Sequence, residues 1–193
     1  DPTGAFVRLR ANKDLAFMSS ALGLPTDEID QWCRTLEMGC ASLRHPEAGH
    51  FNAINLKSGE HTGYLTSASF LCWYAGVGDE SMLDLLKNTL QDTLYPIPSL
   101  DKNSIECDGL RYWRGPTWPI LNALIGLGLS DMGHEKHAEI IRSRTRELIN
   151  RHGFAEYFSP MTGAPGGGKA FSWTAAVWLA WASPSVGAKS WDP

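Results

Sequence analysis

GLRYWRGPTWPILNALIGLGLSDMGHEKHAEIIRSRTRELINR, residues 109–151, contains the contrast on which the fold reading turns. Its middle, from about Pro116 to Leu129, has a helical spacing of apolar residues on most sides, including Ile120, Leu124 and Ile125. Small residues at Gly115, Gly126 and Gly128 let other backbones come close. The next helix, about His134 to Arg151, is charged on most faces and apolar only along Ala138, Ile141 and Leu148. That is the pattern of a helix with one face on a core and the rest in solvent. A central helix is therefore followed by an outer one.

The same alternation extends in both directions. Val7, Ala11, Leu15, Met18 and Leu22 recur at helical spacing until Gly23 and Pro25 stop the run. Thr26 and Asp27 can cap a second helix through Ile29, Trp32, Cys33, Leu36, Cys40 and Leu43, antiparallel to the first. Residues 49–66 alternate loosely around Lys57-Ser58-Gly59-Glu60 and predict a small hairpin or loop. A third helix is expected over about Ser67 to Ala75. A fourth, capped by Asp79, turns Met82, Leu83, Leu86 and Leu90 to one side, and a seventh runs over about Ser172 to Trp181. Two long aromatic connections, 95–119 and 153–169, interrupt the helices, and loops of that length are usually functional or disordered. The predicted fold is all-α: a partial (α/α)6 toroid of about seven antiparallel helices, with the long loops gathered at one mouth.

Composition narrows the function. The chain has 193 residues, 43% of them apolar, enough for one sizeable core, and its formal charge of −4 offers no basic stripe for a phosphate backbone. Nucleic acid is an unsuitable partner. No apolar run reaches the roughly 18 residues that span a bilayer, and the N-terminus lacks a charged-then-apolar leader pattern, so no membrane partner and a cytoplasmic location are expected. The four cysteines have no CxxC spacing and read as reduced core residues. No histidine spacing calls for a metal, and no cofactor is expected. The Gly163–Lys169 run lacks the GxxxxGK[ST] spacing of a phosphate loop. Eight tryptophans are a large number for this length, and indole planes suit the apolar C–H faces of sugar rings.

Two segments concentrate side chains able to do chemistry. Leu110 to Pro119 packs Tyr112, Trp113 and Trp118 with Arg111 and Arg114 just ahead of the buried helix. It reads either as a ligand shelf or as a structural plug with Trp118 in the core and Arg114 on a carboxylate. Gly153-Phe154-Ala155-Glu156-Tyr157-Phe158 sets one carboxylate among aromatics directly after a helix. Its hydrogen bonds would decide whether it serves as a base. Glu106 and Asp108 are better read as arginine partners.

Taken in order, Tyr112-Trp113-Arg114-Gly115-Pro116-Thr117-Trp118-Pro119, Gly153-Phe154-Ala155-Glu156-Tyr157 and Phe171-Ser172-Trp173-Thr174-Ala175-Ala176 resemble the C-terminal signature of glycoside hydrolase family 63 and its relatives. Among these, the likeness is to the small bacterial members acting on glucosylglycerate and mannosylglycerate. The resemblance implies a six-hairpin (α/α)6 barrel that hydrolyses an α-glycosidic bond of a small glucoside or mannoside with inversion. It places the general base on Glu156, substrate contacts on Tyr112, Trp113 and Tyr157, and a structural or contact role on Arg114 and Trp118. The family's acid is an aspartate of its N-terminal half, in a motif not found here. Residues 1–193 are therefore expected to be the C-terminal part of one catalytic domain. Lys169-Ala170 stands where a glutamine is expected in the glycerate-specific members. Two other readings stay open: a non-catalytic helical sugar-binding module, and an α/α-barrel sugar epimerase using histidines such as His152. Half a toroid would also expose inner-helix apolar surface, favouring self-association.

Overall fold

Two of the helices start on an aspartate cap. Asp1 accepts the Thr3 N–H at 2.8 Å and starts α1 (Pro2–Ala21), and Asp79 accepts the Met82 N–H at 3.1 Å and starts α4 (Glu80–Asp92). Both satisfy backbone donors that have no partner within the helix. The computed structural model describes residues 1–185, so the last eight residues of the expected domain lie outside the described residues. Within them the remaining helices are α2 (Asp27–Ser42), α3 (Ser67–Phe70), α5 (Pro119–Asp131), α6 (Glu135–His152) and α7 (Ser172–Val177). The only strands among the described residues are β1 (Tyr157–Phe158) and β2 (Pro165–Gly166).

The alternation expected from the sequence is present. α1 packs on α2 and α3, and α5 packs on α6 and α7. Gly126 and Gly128 allow the close approaches foreseen for the central helix. A Cβ on Gly128 would lie 2.3 Å from the backbone of Trp73 and Tyr74, and one on Gly126 would lie 2.3 Å from the Trp181 ring. Met82, Leu83, Leu86 and Leu90 of α4 and Ala138, Ile141 and Leu148 of α6 are buried, as their spacing predicted. The 49–66 excursion is a hairpin-like loop with antiparallel contacts Arg44↔Phe51 and Ile54↔His61. All four cysteines are free thiols, and burial pushes the pKa of each upward.

Several local expectations are corrected. Thr26 precedes α2, but its hydroxyl donates to Asp30 Oδ2 at 2.9 Å instead of capping the helix. The third helix is one α-turn followed by tighter bonds, with Leu71 N–H donating to Ala68 O and Trp73 N–H to Phe70 O. The seventh helix widens into a π-turn over Trp178–Ala182, closed by Ser183 N–H on Trp178 O. Arg142 and Arg146 of α6 donate to the carbonyls of Trp181 and Ala182 at 2.7 and 2.6 Å. These guanidiniums occupy acceptors that a continuing α-helix would have used.

α1 is covered on one side only. Its buried residues are Pro2, Phe6, Leu9 and Ser19, whereas Val7, Leu15, Met18 and Leu22 of the apolar repeat are 40–75% exposed. The helix has two apolar faces and the described residues cover one. A groove of about 470 Å³ also opens between α1, α5 and α7, lined mainly by Tyr74, Ile120, Leu124, Leu127, Val177 and Trp181. Contiguous uncovered apolar surface of this kind drives association. Residues 1–193 expressed alone are expected to self-associate by light scattering. A monomer that unfolds cooperatively would show that this surface needs no cover.

Candidate active site

The two long connections are not independent loops, because they pair with each other. Thr117 N–H donates to Phe158 O at 2.8 Å, and Phe158 N–H returns the bond to Thr117 O at 3.0 Å. Both residues are fully buried. Further antiparallel contacts, Pro98↔Thr117 and Thr66↔Leu100, continue on one side, and the β1–β2 pair, Tyr157↔Gly166 and Phe158↔Pro165, on the other. A narrow, irregular sheet thus crosses the end of the helix array where α1, α3, α5 and α7 begin. Successive residues of extended backbone point to opposite faces. Trp118, next to Thr117, and Tyr157, next to Phe158, consequently meet with ring centroids 5.2 Å apart.

Around that pair the aromatic shelf is built outward. Trp118 is 2% exposed and donates its Nε1–H to Tyr112 O at 3.2 Å. Trp113 stacks flat on it, centroids 4.0 Å apart and planes within 6°. Tyr112 meets Trp113, Trp118 and Tyr157 edge-on at 5.9, 5.1 and 5.8 Å. It is the one non-glycine among the described residues with positive φ, at 40°. Such strain, of order 1–3 kcal/mol, persists where surrounding structure holds it, and here the Trp118 indole does so. Tyr112 and Trp113 are about half exposed, and Trp113 also lines a cavity of about 270 Å³ with Thr66, Ser67, Ser99 and the start of α1.

The five expected contact residues therefore divide. Tyr112, Trp113 and the half-buried Tyr157 form one accessible cluster. Trp118 lies behind it as the support the plug reading foresaw. Arg114 turns away, its Nη2 2.5 Å from Glu106 Oε2 and its Nε and Nη2 on Glu106 O. Its guanidinium pairs with the carboxylate, as the plug reading has it, while the side chain stays 41% exposed.

Glu156 is delivered to the same place by α6 and α7. The chain leaves α6 at Gly153, and the Phe171 N–H at the start of α7 donates to Phe154 O at 2.8 Å. Thr174, fully buried in α7, donates its hydroxyl to Ala155 O at 2.6 Å. Glu156 N–H donates to Gly168 O at 2.9 Å, and Gly168 N–H to Glu156 Oε2 at 3.1 Å. Its other oxygen, Oε1, accepts no hydrogen bond and Glu156 forms no ion pair among the described residues. Tyr157, the next residue, ties it to the aromatic shelf. Sequence reasoning missed Thr174 as the anchor of this loop. The only signal was its place in the Phe171-Ser172-Trp173-Thr174 motif.

His152 points elsewhere, its ring edge-on to Tyr95 at 6.2 Å and against Gly163. No histidine belongs to the aromatic cluster among the described residues, which leaves the epimerase reading without its acid and base. The described residues contain no group of three or more side chains able to hold a metal, and no helix among them is long and apolar enough to cross a membrane.

An alternating helix array with long loops gathered at one end is the architecture of the (α/α)6 glycosidases. The chain belongs to the mannosylglycerate hydrolase MGH1-like glycoside hydrolase domain family, whose sequence model matches residues 1–174. It is 36% identical over 178 residues to mannosylglycerate hydrolase MGH1 of Selaginella moellendorffii, covering 89% of this chain and 36% of that protein. Over 85 residues it is 38% identical to the glucosylglycerate hydrolase of Mycolicibacterium hassiacum, covering 44% of this chain and 19% of that one. The crystal structure of the GH63 mannosylglycerate hydrolase from Thermus thermophilus in complex with glucose superposes with a TM-score of 0.87 at 34% identity. That match covers 93% of this chain and 46% of that one. The chain thus spans less than half the length of these relatives.

Replacing Thr174 by valine keeps the shape and deletes the bond to Ala155 O. Leaving that buried carbonyl unpartnered is expected to cost about 1–3 kcal/mol, read as a lowered thermal midpoint of the intact protein.

Proposed function

We propose that the intact protein hydrolyses the α-glycosidic bond of a small glucoside or mannoside with inversion, and that this chain supplies the general base, Glu156. The observation that supports this reading is the asymmetry of the Glu156 carboxylate: Oε2 is held by the Gly168 N–H, Oε1 accepts no hydrogen bond among the described residues, and the adjoining Tyr157 belongs to the aromatic cluster. Tyr112 and Trp113 offer flat apolar surface to a sugar ring. A water between Oε1 and the anomeric carbon gives up its proton to Oε1 as its oxygen forms the new C–O bond. The glycosidic C–O bond breaks on the opposite side, and the leaving oxygen takes a proton from an acid outside these residues. Inverting enzymes separate the two carboxyls by about 6.5–9.5 Å to admit that water.

Family membership supports glycerate as the aglycone, as in mannosylglycerate or glucosylglycerate. Lys169, next to Gly168, is the departure that bears on that choice. Residues 1–193 are read as the C-terminal part of the catalytic domain, the uncovered faces of α1 and the α1/α5/α7 groove being the surfaces the rest of the ring covers. The partner is a small carbohydrate.

In the intact protein, Glu156→Gln keeps the bond from Gly168 but removes the proton acceptor. Turnover on mannosylglycerate or glucosylglycerate should fall about 10²–10⁴-fold with sugar binding retained, and unchanged turnover would remove Glu156 as base. Trp113→Ala loses stacking worth roughly 1 kcal/mol and should weaken substrate binding about fivefold by calorimetry. Unchanged affinity would take it out of the site.

A further inference from the structure

The segment Gly166-Gly167-Gly168 lies directly on the two side chains that the proposed reaction uses. A Cβ on Gly166 would sit 2.3 Å from Tyr157 Cε2. One on Gly167 would sit 2.4 Å from Glu156 Oε2 and 2.7 Å from Glu156 Cβ, and Gly167 has φ +70°. Gly168 closes the arrangement with two bonds, its carbonyl accepting Glu156 N–H and its N–H donating to Glu156 Oε2. The backbone therefore touches the carboxylate from above at Gly167 and grips it from the side at Gly168. Tyr157 is held against the same strap, with Trp118 and Tyr112 around it.

We infer that Gly167 and Gly168 are positioning residues for Glu156: the strap selects Oε2 as the fixed oxygen and leaves Oε1 as the one that receives the water proton. This deepens the reading of Glu156 as base and rests on it. Two features of the strap are needed, each for a different reason. The Gly168 N–H is a donor that sets the rotation of the carboxylate plane. The missing side chain at Gly167 is what allows the strap to approach closely enough to make that bond. An ordinary surface turn would need the left-handed φ at Gly167 but not the contact with Oε2. Gly133 at the α5–α6 turn is such a case, with φ +83° and no atom within 4 Å of a Cβ added there.

That contrast supplies the test. In the intact protein, with mannosylglycerate and glucosylglycerate as substrates, Gly167→Ala pushes a methyl into Oε2. The displaced carboxylate should lower kcat about 10²-fold, the loss typical of a 1 Å misplacement, with KM changed less than twofold. Gly133→Ala carries a comparable backbone penalty and should leave kcat unchanged. Combined with Glu156→Gln, Gly167→Ala should cause almost no further loss, because the group it misplaces is already disabled. Wild-type kcat in Gly167→Ala, or a full additional loss in the double variant, overturns the positioning role while leaving Glu156 as base. If Glu156→Gln itself is fully active, both readings fall. Should Gly167→Ala not fold, Gly168→Pro, which deletes the N–H donor, is read by the same kcat, KM and double-variant comparisons.

Discussion

The two hydrogen bonds exchanged by Thr117 and Phe158 are the constraint on which the candidate site depends. Each belongs to a long connection between helices, and neither connection has a helical period of its own. In the buried environment of these two residues, unpaired N–H and C=O groups would be costly, so the segments satisfy each other. Once they are joined, the alternation of extended backbone leaves little freedom to the neighbouring side chains. Trp118 and Tyr157 turn to the same side, Trp113 stacks on Trp118, and Glu156 sits one residue behind Tyr157.

The helices contribute the frame. α5 is apolar on both sides because α6 covers one and α7 the other, and its glycines bring Trp73 and Trp181 to van der Waals distance. α7 does more than pack, since its first turn holds the Glu156 loop through Thr174 and Phe171. Its far end unwinds into a π-turn whose carbonyls are taken by Arg142 and Arg146 of α6. One short helix thus links the outer layer to the carboxylate of the proposed base, which is a reason for the Phe171-Ser172-Trp173-Thr174 stretch to have the composition it has.

Charge placement separates structural from chemical roles within the aromatic loop. Arg114 and Glu106 neutralise each other at half-exposed positions, where such a pair contributes little stability but fixes the direction of the loop. Glu156 has no cation beside it among the described residues and is held by a backbone N–H instead. A fixed dipole orients a carboxylate while leaving its charge unpaired, which suits a base better than an arginine partner would.

Most of the helical order was legible in the sequence, because an amphipathic helix repeats its pattern over many residues and each repeat reports the same face. The shelf residues Tyr112 and Trp113 and the carboxylate Glu156 were legible as motifs. The apolar repeat of α1 identified the helix but not its covered face, since that helix is apolar on two faces and periodicity alone does not say which one the chain covers. For Trp118 and Arg114 the choice between ligand shelf and structural plug stayed open in the sequence, because residue type is blind to burial and pairing. Helix identity and the residue types of the candidate site were thus determined locally, by side-chain periodicity and chemistry. The Thr117–Phe158 pairing, the grip of Gly168 on Oε2 and the anchoring of Ala155 by Thr174 were decided only by the tertiary structure. They join residues 12 to 41 positions apart, and no spacing rule along a chain encodes contacts made across an irregular sheet.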